Sequence, residues 1–419
     1  MHKLCILSQY YLPDINGDVT RLLNSIESLK KDGFNITVVT AFPHYPYGKI
    51  PEKYFGKLLA FENNEGSFII RVPIIPVPHK GLNHILSYSS YAFFSLLAVP
   101  FIDKPDVVWA FSQKLFSYFA GILFRLFKKS ILVVDMTDVW PEAIVNTGHM
   151  KKDSLIFKIA VFLTRFTLSV ADYVITLSEE MKAMICRKGV RPEKVLILPN
   201  SVEINLPIYL EASGRSPFMN GKFAVIYSGN IGSNYDFETL LEAALQLKDH
   251  EDILFIIRGK GELLDTVRKT VSEKDLKNVF LDDRWLSKDD LIIYLNRADA
   301  FILPMKKPIF QNASFPIKAL EYMAHGKPII YLGHDSLGLL LSSTNSGLVV
   351  DYEDVRGICQ AVLSLKNNKE KAELMGRNAR ELAINMFSSE IFSEKITGMF
   401  KKMIRQKENP FITRQMTVK

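Results

Sequence analysis

At 419 residues, 48% of them apolar, the chain is long enough for two or three domains with their own cores, and too hydrophobic to be disordered. Its three cysteines, Cys5, Cys186 and Cys359, are widely spaced, which excludes a disulfide framework and a cysteine zinc site and points to a reducing cytoplasm. The net charge of +7 is unevenly placed: residues 1–200 carry 23 Lys or Arg against 17 Asp or Glu, residues 201–394 carry 22 against 27, and residues 395–419 carry 7 against 1. A basic, aromatic-rich first half and a basic tail ask for a polyanionic partner. No nucleic-acid motif accompanies them, so an anionic membrane surface is expected rather than nucleic acid.

The start, MHKLCILSQYYLP, has an apolar run too short for a signal peptide and reads as a first β-strand over Leu4–Ser8. Helical spacing after Thr20, ending at Gly33, and a buried strand over Ile36–Thr40 complete a β-α-β opening. The turn between them, PDINGDVTR, falls where doubly wound sheets bind ligands, and Gly17 there allows a close backbone approach, unless it serves only the turn. The Pro/Tyr loop AFPHYPYGKIPEKY (41–54) has no periodicity and reads as a wall of an active site. Residues 85–102 carry no charge over 18 positions, yet their serines, tyrosines and Pro100 weigh against a membrane span. The helical stretches 115–129 and 154–172 are apolar almost all round, with Lys151, Lys158 and Arg165 recurring every seven residues. A core helix with a solvated edge and a helix lying at a membrane interface both explain that stripe; the charge balance favours the membrane.

ILVVDMTDVWPEAIV (131–145) is a buried strand running out into Thr137, Asp138 and Glu142. Polar groups at a strand's carboxyl end face a ligand cleft, so Asp138 and Glu142 are candidate acceptors for sugar hydroxyls; alternatively Asp138 caps the next helix. A strand and a helix capped by Ser178 follow in YVITLSEEMKAMI, and VLILPNSVE (195–203) closes a first domain. EINLPIYLEASGRSPFMNGK, rich in Pro, Gly and Ser, reads as a linker. A second β-α-β then opens at Phe223, with Gly229 and Gly232 at its strand-to-helix turn, a phosphate-compatible loop. The strand ILFIIRGKGE ends in Arg258 and Lys260, two cations at a sheet's edge. Trp285 is either a platform for a nucleobase or a ring packed under its loop.

The stretch Asn312–Gly333, NASFPIKALEYMAHGKPIIYLG, reads as a loop, a helix from about Ile317 to His325, and a short buried strand. A loop running straight into a helix presents unpaired N–H groups and the positive end of the helix dipole. Lys318 stands in the first turn and Glu321 three residues on. A cation, a fan of amides and a carboxylate suit a nucleotide sugar: the first two for the diphosphate, the third for a ribose diol. An exposed surface pair would use the same two residues.

Taken together, SQYYLPDINGDVTRL, AFPHYPYG, DVWPEAI, TLSEEM, LPNSVE, YSGNIG, FETLLEA and FPIKALEYMAHGKPI resemble the retaining glycosyltransferases of family four. DVWPE, YSGNIG and the FPxK pattern are most similar to the branch acting on surface-polysaccharide and lipid-linked sugars. The resemblance implies an α/β, GT-B architecture: two Rossmann-like doubly wound lobes facing across a cleft, the donor mainly in the second. The expected organisation is an acceptor-binding domain over 1–204, a linker over 205–222, a nucleotide-sugar domain over 223–386, and a returning helix and basic tail over 387–419. By the same resemblance Glu321 matches the second Glu of the E-x7-E signature. Ala313 stands at the first, Asn230 and Tyr235 stand where the family places its diphosphate Arg and Lys, Asn16-Gly17 replaces a Gly-Gly loop, and Thr137 replaces a common histidine.

The implied reaction is transfer of a hexosyl group, glucosyl or N-acetylhexosaminyl, from an NDP-sugar, UDP-linked, to a glycan acceptor, a lipid-linked oligosaccharide of protein N-glycosylation or of surface polysaccharide assembly, with retention. No cofactor and no metal are expected, since no D-x-D motif sits at a strand end. Lys318 and Asp138 are the candidate catalytic residues. Gly229, Asn230, Arg258, Lys260, Trp285, Phe315, Pro316 and Glu321 are the candidate donor contacts, and Asn16, Gly17, Thr137 and Glu142 the acceptor or cleft contacts. The expected partners are a nucleotide sugar, a polyprenyl-linked glycan and an anionic membrane, with the protein peripheral on the cytoplasmic membrane face. A GT-B sugar-nucleotide epimerase and a catalytically weak scaffold are the rival readings.

Overall fold

The computed structural model describes residues 1–14, 16–45, 47–77, 84–111, 115–146, 150–205, 221–308 and 315–408. Ala313 and most of the expected linker, 206–220, lie outside the described residues. Two compact units result, one of Met1–Ile144, Met150–Asn200 and Glu390–Lys419, the other of Val145–His149 and Ser201–Ser389.

In the first unit the elements run β1 (Lys3–Leu7), α1 (Gly17–Lys31), β2 (Asn35–Ala41), β3 (Ala60–Asn64), β4 (Ser67–Val72), α2 (His84–Ser95), β5 (Val107–Phe111), α3 (Leu115–Lys128), β6 (Ile131–Asp135), α4 (Glu142–Asn146), α5 (Leu155–Val170), β7 (Tyr173–Thr176), α6 (Glu179–Arg187) and β8 (Val195–Ile197). The sheet order is β3-β4-β2-β1-β5-β6-β7-β8, parallel except for β3. Strands such as β5, VVWAF, are buried at every position because helices cover both faces, which is why they read as continuous apolar runs rather than alternating ones. On one face lie α2, α3 and α5; on the other lie α1 and the last helix of the chain.

Helix α1 begins at Gly17, earlier than the apolar spacing after Thr20 indicates, because the Asn16 side chain accepts a hydrogen bond from the Val19 N–H at 2.9 Å. Val19, Leu22, Ile26 and Leu29 form its buried stripe. The uncharged stretch 85–102 folds as α2 and a 3-10 turn over Leu96–Phe101 that holds Pro100. Buried Tyr91 anchors it, donating its hydroxyl to the Val39 carbonyl at 2.9 Å. Among the described residues no helix is long and apolar enough to cross a membrane.

The second unit runs β9 (Phe223–Ser228), α7 (Phe237–Gln246), β10 (Ile253–Arg258), α8 (Leu264–Glu273), β11 (Val279–Asp282), α9 (Lys288–Asn296), β12 (Ala300–Leu303), α10 (Ile317–Ala324), β13 (Ile329–Leu332), α11 (Ser336–Ser343), β14 (Gly347–Val350), α12 (Val355–Asn367) and α13 (Lys369–Leu382). Its six strands are all parallel, in the order β11-β10-β9-β12-β13-β14. The order reverses between β9 and β12, and in such sheets the crevice at that reversal is where ligands bind. The register pairs Ser228 with Arg258 and Arg258 with Asp282, so β9, β10 and β11 end level with one another. Helix α14 (Ser389–Glu408) then packs against the first unit's sheet through Phe392, Ile396, Phe400, Met403 and Ile404.

Candidate functional site

Two loops meet at the reversal point of the second sheet. The one after β9 is tied to the one after β12 by a bridge between Tyr235 and Met305 and by the Asp236 N–H donating to the Pro304 carbonyl at 2.7 Å. Helix α10 follows the second loop. Its Tyr322 hydroxyl accepts from the Ser228 N–H at 2.7 Å and contacts the Ser228 carbonyl at 3.1 Å, and its ring stacks on Phe301 with centroids 4.0 Å apart. The helix is thereby fixed against the end of β9. Its N-cap, Pro316, offers no side-chain acceptor to the first-turn N–H groups at the positive helix end.

Lys318, from the first turn of α10, reaches back over the β9 end. Its ammonium donates to the Tyr227 hydroxyl at 2.7 Å and lies 4.7 Å from the Tyr227 ring centroid and 4.0 Å from that of Tyr235. Tyr227 in turn donates to the Asn230 carbonyl. Burial keeps both phenols protonated, pushing Tyr235 up to about 12 and Tyr227 further, so neither ring supplies a counter-charge. Enclosure by the aromatic rings lowers the Lys318 ammonium to about 7, against the opposing pull of Glu321. Glu321 remains exposed to solvent, although the surrounding protein holds its carboxyl above the usual range, with Lys318 drawing it down.

This placement of Lys318 depends on Gly229. At φ +142° the residue is in a region that side chains avoid, and a Cβ there would stand 2.1 Å from Lys318 Cε. Gly259 has the matching role on the neighbouring strand, where a Cβ would run into the Gly229 carbonyl at 1.8 Å. The loops are laced by the Gly229 N–H donating to the Arg258 carbonyl at 2.9 Å and the Ile231 N–H to the Lys260 carbonyl at 2.9 Å. The Gly229 amide is therefore spent on the sheet and is not a donor for a phosphate. Among the described residues, the Asn230 N–H between them makes no such lacing bond.

Arg258 and Lys260 differ in availability. Arg258 is 7% exposed, donates to the Arg284 carbonyl at 2.9 Å and lies over the Tyr294 ring, so it supports the backbone beside Trp285. Lys260 is exposed. Asp282, which Arg284 grips through two nitrogens at 2.8 and 2.9 Å, has its carboxyl pulled below the usual range by that grip in spite of desolvation. The indole of Trp285 is 84% exposed, which removes the reading of a ring packed beneath its loop. Phe315 is buried, with its ring 5.9 Å from that of Phe387, and Pro316 is half-buried.

The remaining sequence-predicted residues lie in the first unit. The Asn16 side chain caps α1 and Gly17 is that helix's first residue, so the glycine serves a helix start rather than an open loop. Thr137 is buried just beyond β6, and Asp138 beside it is half-buried. Glu142 is ion-paired with Lys188. Behind them Asp135, 1% exposed, meets the Arg21 guanidinium at 3.4 Å.

Sequence reasoning missed the tyrosine clamp. Tyr227 lies inside the YSGNIG motif, but in a strand buried at all but its first position nothing marks one ring as facing a lysine 91 residues away.

Residues 16–201 match the family model described as glycosyl transferase 4-like domain, and residues 211–382 that described as glycosyl transferases group 1. A putative colanic acid biosynthesis glycosyl transferase of Escherichia coli K12, WcaI, is 26% identical over 411 residues, covering 93% of this chain and 99% of its own. Among solved structures, sucrose-phosphate synthase from Thermosynechococcus elongatus has a TM-score of 0.77 at 16% identity, covering 97% of this chain and 100% of that one. HepE of Anabaena, in complex with UDP and glucose, has a TM-score of 0.69 at 16% identity, covering 96% and 100%. With both halves matched, the chain belongs to the group 1 glycosyltransferases, and its two Rossmann-like units with parallel sheets have the GT-B fold.

Proposed function

We propose that the protein transfers a hexosyl group, glucosyl or N-acetylhexosaminyl, from a UDP-sugar to a hydroxyl of a lipid-carried glycan, with retention of anomeric configuration and without a metal ion. The observation that carries this reading is the ammonium of Lys318, in the first turn of α10, held by phenols over Gly229. As the glycosidic bond to the diphosphate breaks, the sugar becomes oxocarbenium-like and the leaving group gains negative charge. A desolvated lysine and a helix N-terminus stabilise that charge where it develops. Lys260 and the Asn230 amide add to the anion site, Phe315 and Pro316 shape the approach to it, Glu321 takes the ribose diol, and Trp285 offers a face for the base.

On the acceptor side, Asp138 is the group assigned to the reacting hydroxyl, with Thr137 and Glu142 near it and Asn16 and Gly17 at the head of α1. The colanic acid relative supports surface polysaccharide assembly as the setting, and the HepE complex supports UDP as the base carrier. A lipid-carried acceptor puts the enzyme at the cytoplasmic face of a membrane.

The test is a thermal-shift and turnover screen with UDP-, GDP- and ADP-sugars on the wild type and on Lys318→Ala. Stabilisation and turnover by a UDP-sugar, both abolished in the variant, are expected, with the product's anomeric configuration read by NMR. Equal turnover in both proteins removes Lys318 from the mechanism. An inverted product, or an epimerised sugar nucleotide, replaces the proposed reaction with another.

A further inference from the structure

Among its described residues, the first unit carries an exposed apolar surface. On α5, Leu155, Ile159, Phe162 and Phe166 are 72%, 49%, 69% and 48% exposed. Their spacing of four, three and four residues makes one stripe along the helix, and Ile156 adds to its edge. Only Thr164, Thr167 and Leu168 are buried, so the first two turns of α5 turn no side chain into the core. Helix α3 packs beside α5, with the Phe119 and Phe166 rings 6.5 Å apart, and exposes Leu126 and Phe127. Helix α2 and its 3-10 extension, on the other side of α3, expose Leu86, Phe93, Leu97 and Phe101. Isolated exposed apolar residues are ordinary; a layer of adjoining helices that all expose them is an interaction surface.

Charge selects the occupant. None of the residues of α2, the 3-10 turn, α3 or α5 is Asp or Glu, whereas Arg125, Lys128, Lys158 and Arg165 are among them; Arg125 is paired with Asp172 just beyond α5, which leaves Lys128, Lys158 and Arg165 as the cations of the face. Lys158 and Arg165, seven residues apart and both exposed, run along one flank of the α5 stripe. Two copies meeting through this face would set cation rim against cation rim. An apolar stripe bordered by lysine and arginine instead matches a bilayer, which takes the rings and leucines below its headgroups and the cations at its anionic surface. With no described helix able to span a bilayer, the contact is one of lying on it.

We infer that the outer face of α2, α3 and α5 is a docking surface for an anionic lipid bilayer. The choice of a bilayer accords with the lipid-carried acceptor proposed above, but the surface stands whether or not that transfer does, because vesicle binding reads one and UDP binding reads the other.

The experiment is flotation of the full chain with phosphatidylglycerol-rich and with pure phosphatidylcholine vesicles, at low and high salt. Two variants accompany it, Ile159→Ser with Phe162→Ser, and Lys158→Glu with Arg165→Glu. The wild type is expected to float with the anionic vesicles, less at high salt and little with phosphatidylcholine, and each variant to bind at least tenfold more weakly while keeping its melting temperature and UDP binding. Absence of flotation at low salt, or flotation unchanged in both variants, overturns the inference. So does a concentration-dependent dimer in sedimentation that Phe162→Ser abolishes without any vesicle binding, since a second copy would then be the occupant.

Discussion

The Lys318 ammonium lies 4.0 Å from the centroid of the Tyr235 ring and donates to the Tyr227 phenol at 2.7 Å and, more distantly, to the Asn230 carbonyl at 3.5 Å. A cation so placed is half-buried against ring faces, has given up part of its hydration, and so favours an arriving anion. At the donor site proposed above, that relationship would couple UDP binding to protonation of Lys318. In the unliganded protein the ammonium is lowered to about 7, whereas a bound diphosphate favours the charged form. UDP affinity is therefore expected to hold near pH 7 and to fall above it by up to about tenfold per pH unit, with proton uptake on binding at pH 8. Calorimetry in buffers of different ionisation enthalpy measures that uptake, and none would show Lys318 already charged. The sign for folding is the opposite one. The unfolded chain keeps the lysine proton to higher pH than the folded one, so this group makes the unliganded protein more stable as pH rises from 7 towards the ordinary lysine value.

Tyr235 sets that proton affinity through its ring. Tyr235→Leu admits water to the ammonium, so the pH at which UDP affinity falls should move upward, while affinity near pH 7 drops by roughly tenfold, in line with a desolvated cation–π contact of about 1–2 kcal/mol. Tyr235→Phe keeps the ring and should behave as the wild type in both respects. A general loosening of the loop would lower affinity without moving the pH midpoint, so the two measurements together separate positioning from structure.

Gly229→Ala tests the close approach from the backbone side. The added methyl would stand 2.1 Å from Lys318 Cε, and the lysine must leave its place between the rings. UDP binding is expected to fall at least as far as in Lys318→Ala. The strained φ should also lower folding stability by roughly 1–3 kcal/mol, read from chemical denaturation. A variant that binds UDP normally would show that Lys318 reaches the donor from another position.

Much of this architecture was legible in the residues. The apolar runs at β1, β2, β5, β6, β9 and β10 name buried parallel strands, since only a sheet covered on both faces uses such runs, and the Ser178 cap and the position of α10 follow from local chemistry. What spacing did not give is the direction of side chains between elements. Arg258 and Lys260 look equivalent in the sequence, yet one braces the Trp285 loop and the other stands open. Gly229 and Gly17 both look like ligand-approach glycines. The first makes room for a lysine and the second starts a helix, because Asn16 has an amide to cap and Gly229 has a side chain above it. The tyrosine clamp is a contact between separate crossovers of the sheet, and no local pattern encodes it.

The Arg21–Asp135 pair offers a test of the first unit that needs no ligand. Arg21, 3% exposed in its side chain, gives hydrogen bonds to the Leu198 and Pro199 carbonyls at 3.1 and 3.3 Å and to Asn200 Oδ1 at 3.1 Å, while meeting Asp135 at 3.4 Å. It thus joins α1, the end of β6 and the segment after β8. Burial raises the Asp135 carboxyl above its usual range, opposed by the charge and the hydrogen bond of Arg21. Arg21→Met leaves that carboxyl buried without a cation and should cost about 3–5 kcal/mol at neutral pH by urea denaturation. Because Asp135 can then shed its charge by taking a proton, part of the loss should return as pH falls towards 5; the wild-type carboxyl is also raised but held lower by Arg21, so its gain should be smaller and come at lower pH. Adding Asp135→Leu to Arg21→Met removes the stranded charge and should recover stability at neutral pH; a double variant as unstable as the single one would show that the arginine's carbonyl contacts, not the ion pair, hold the segment in place.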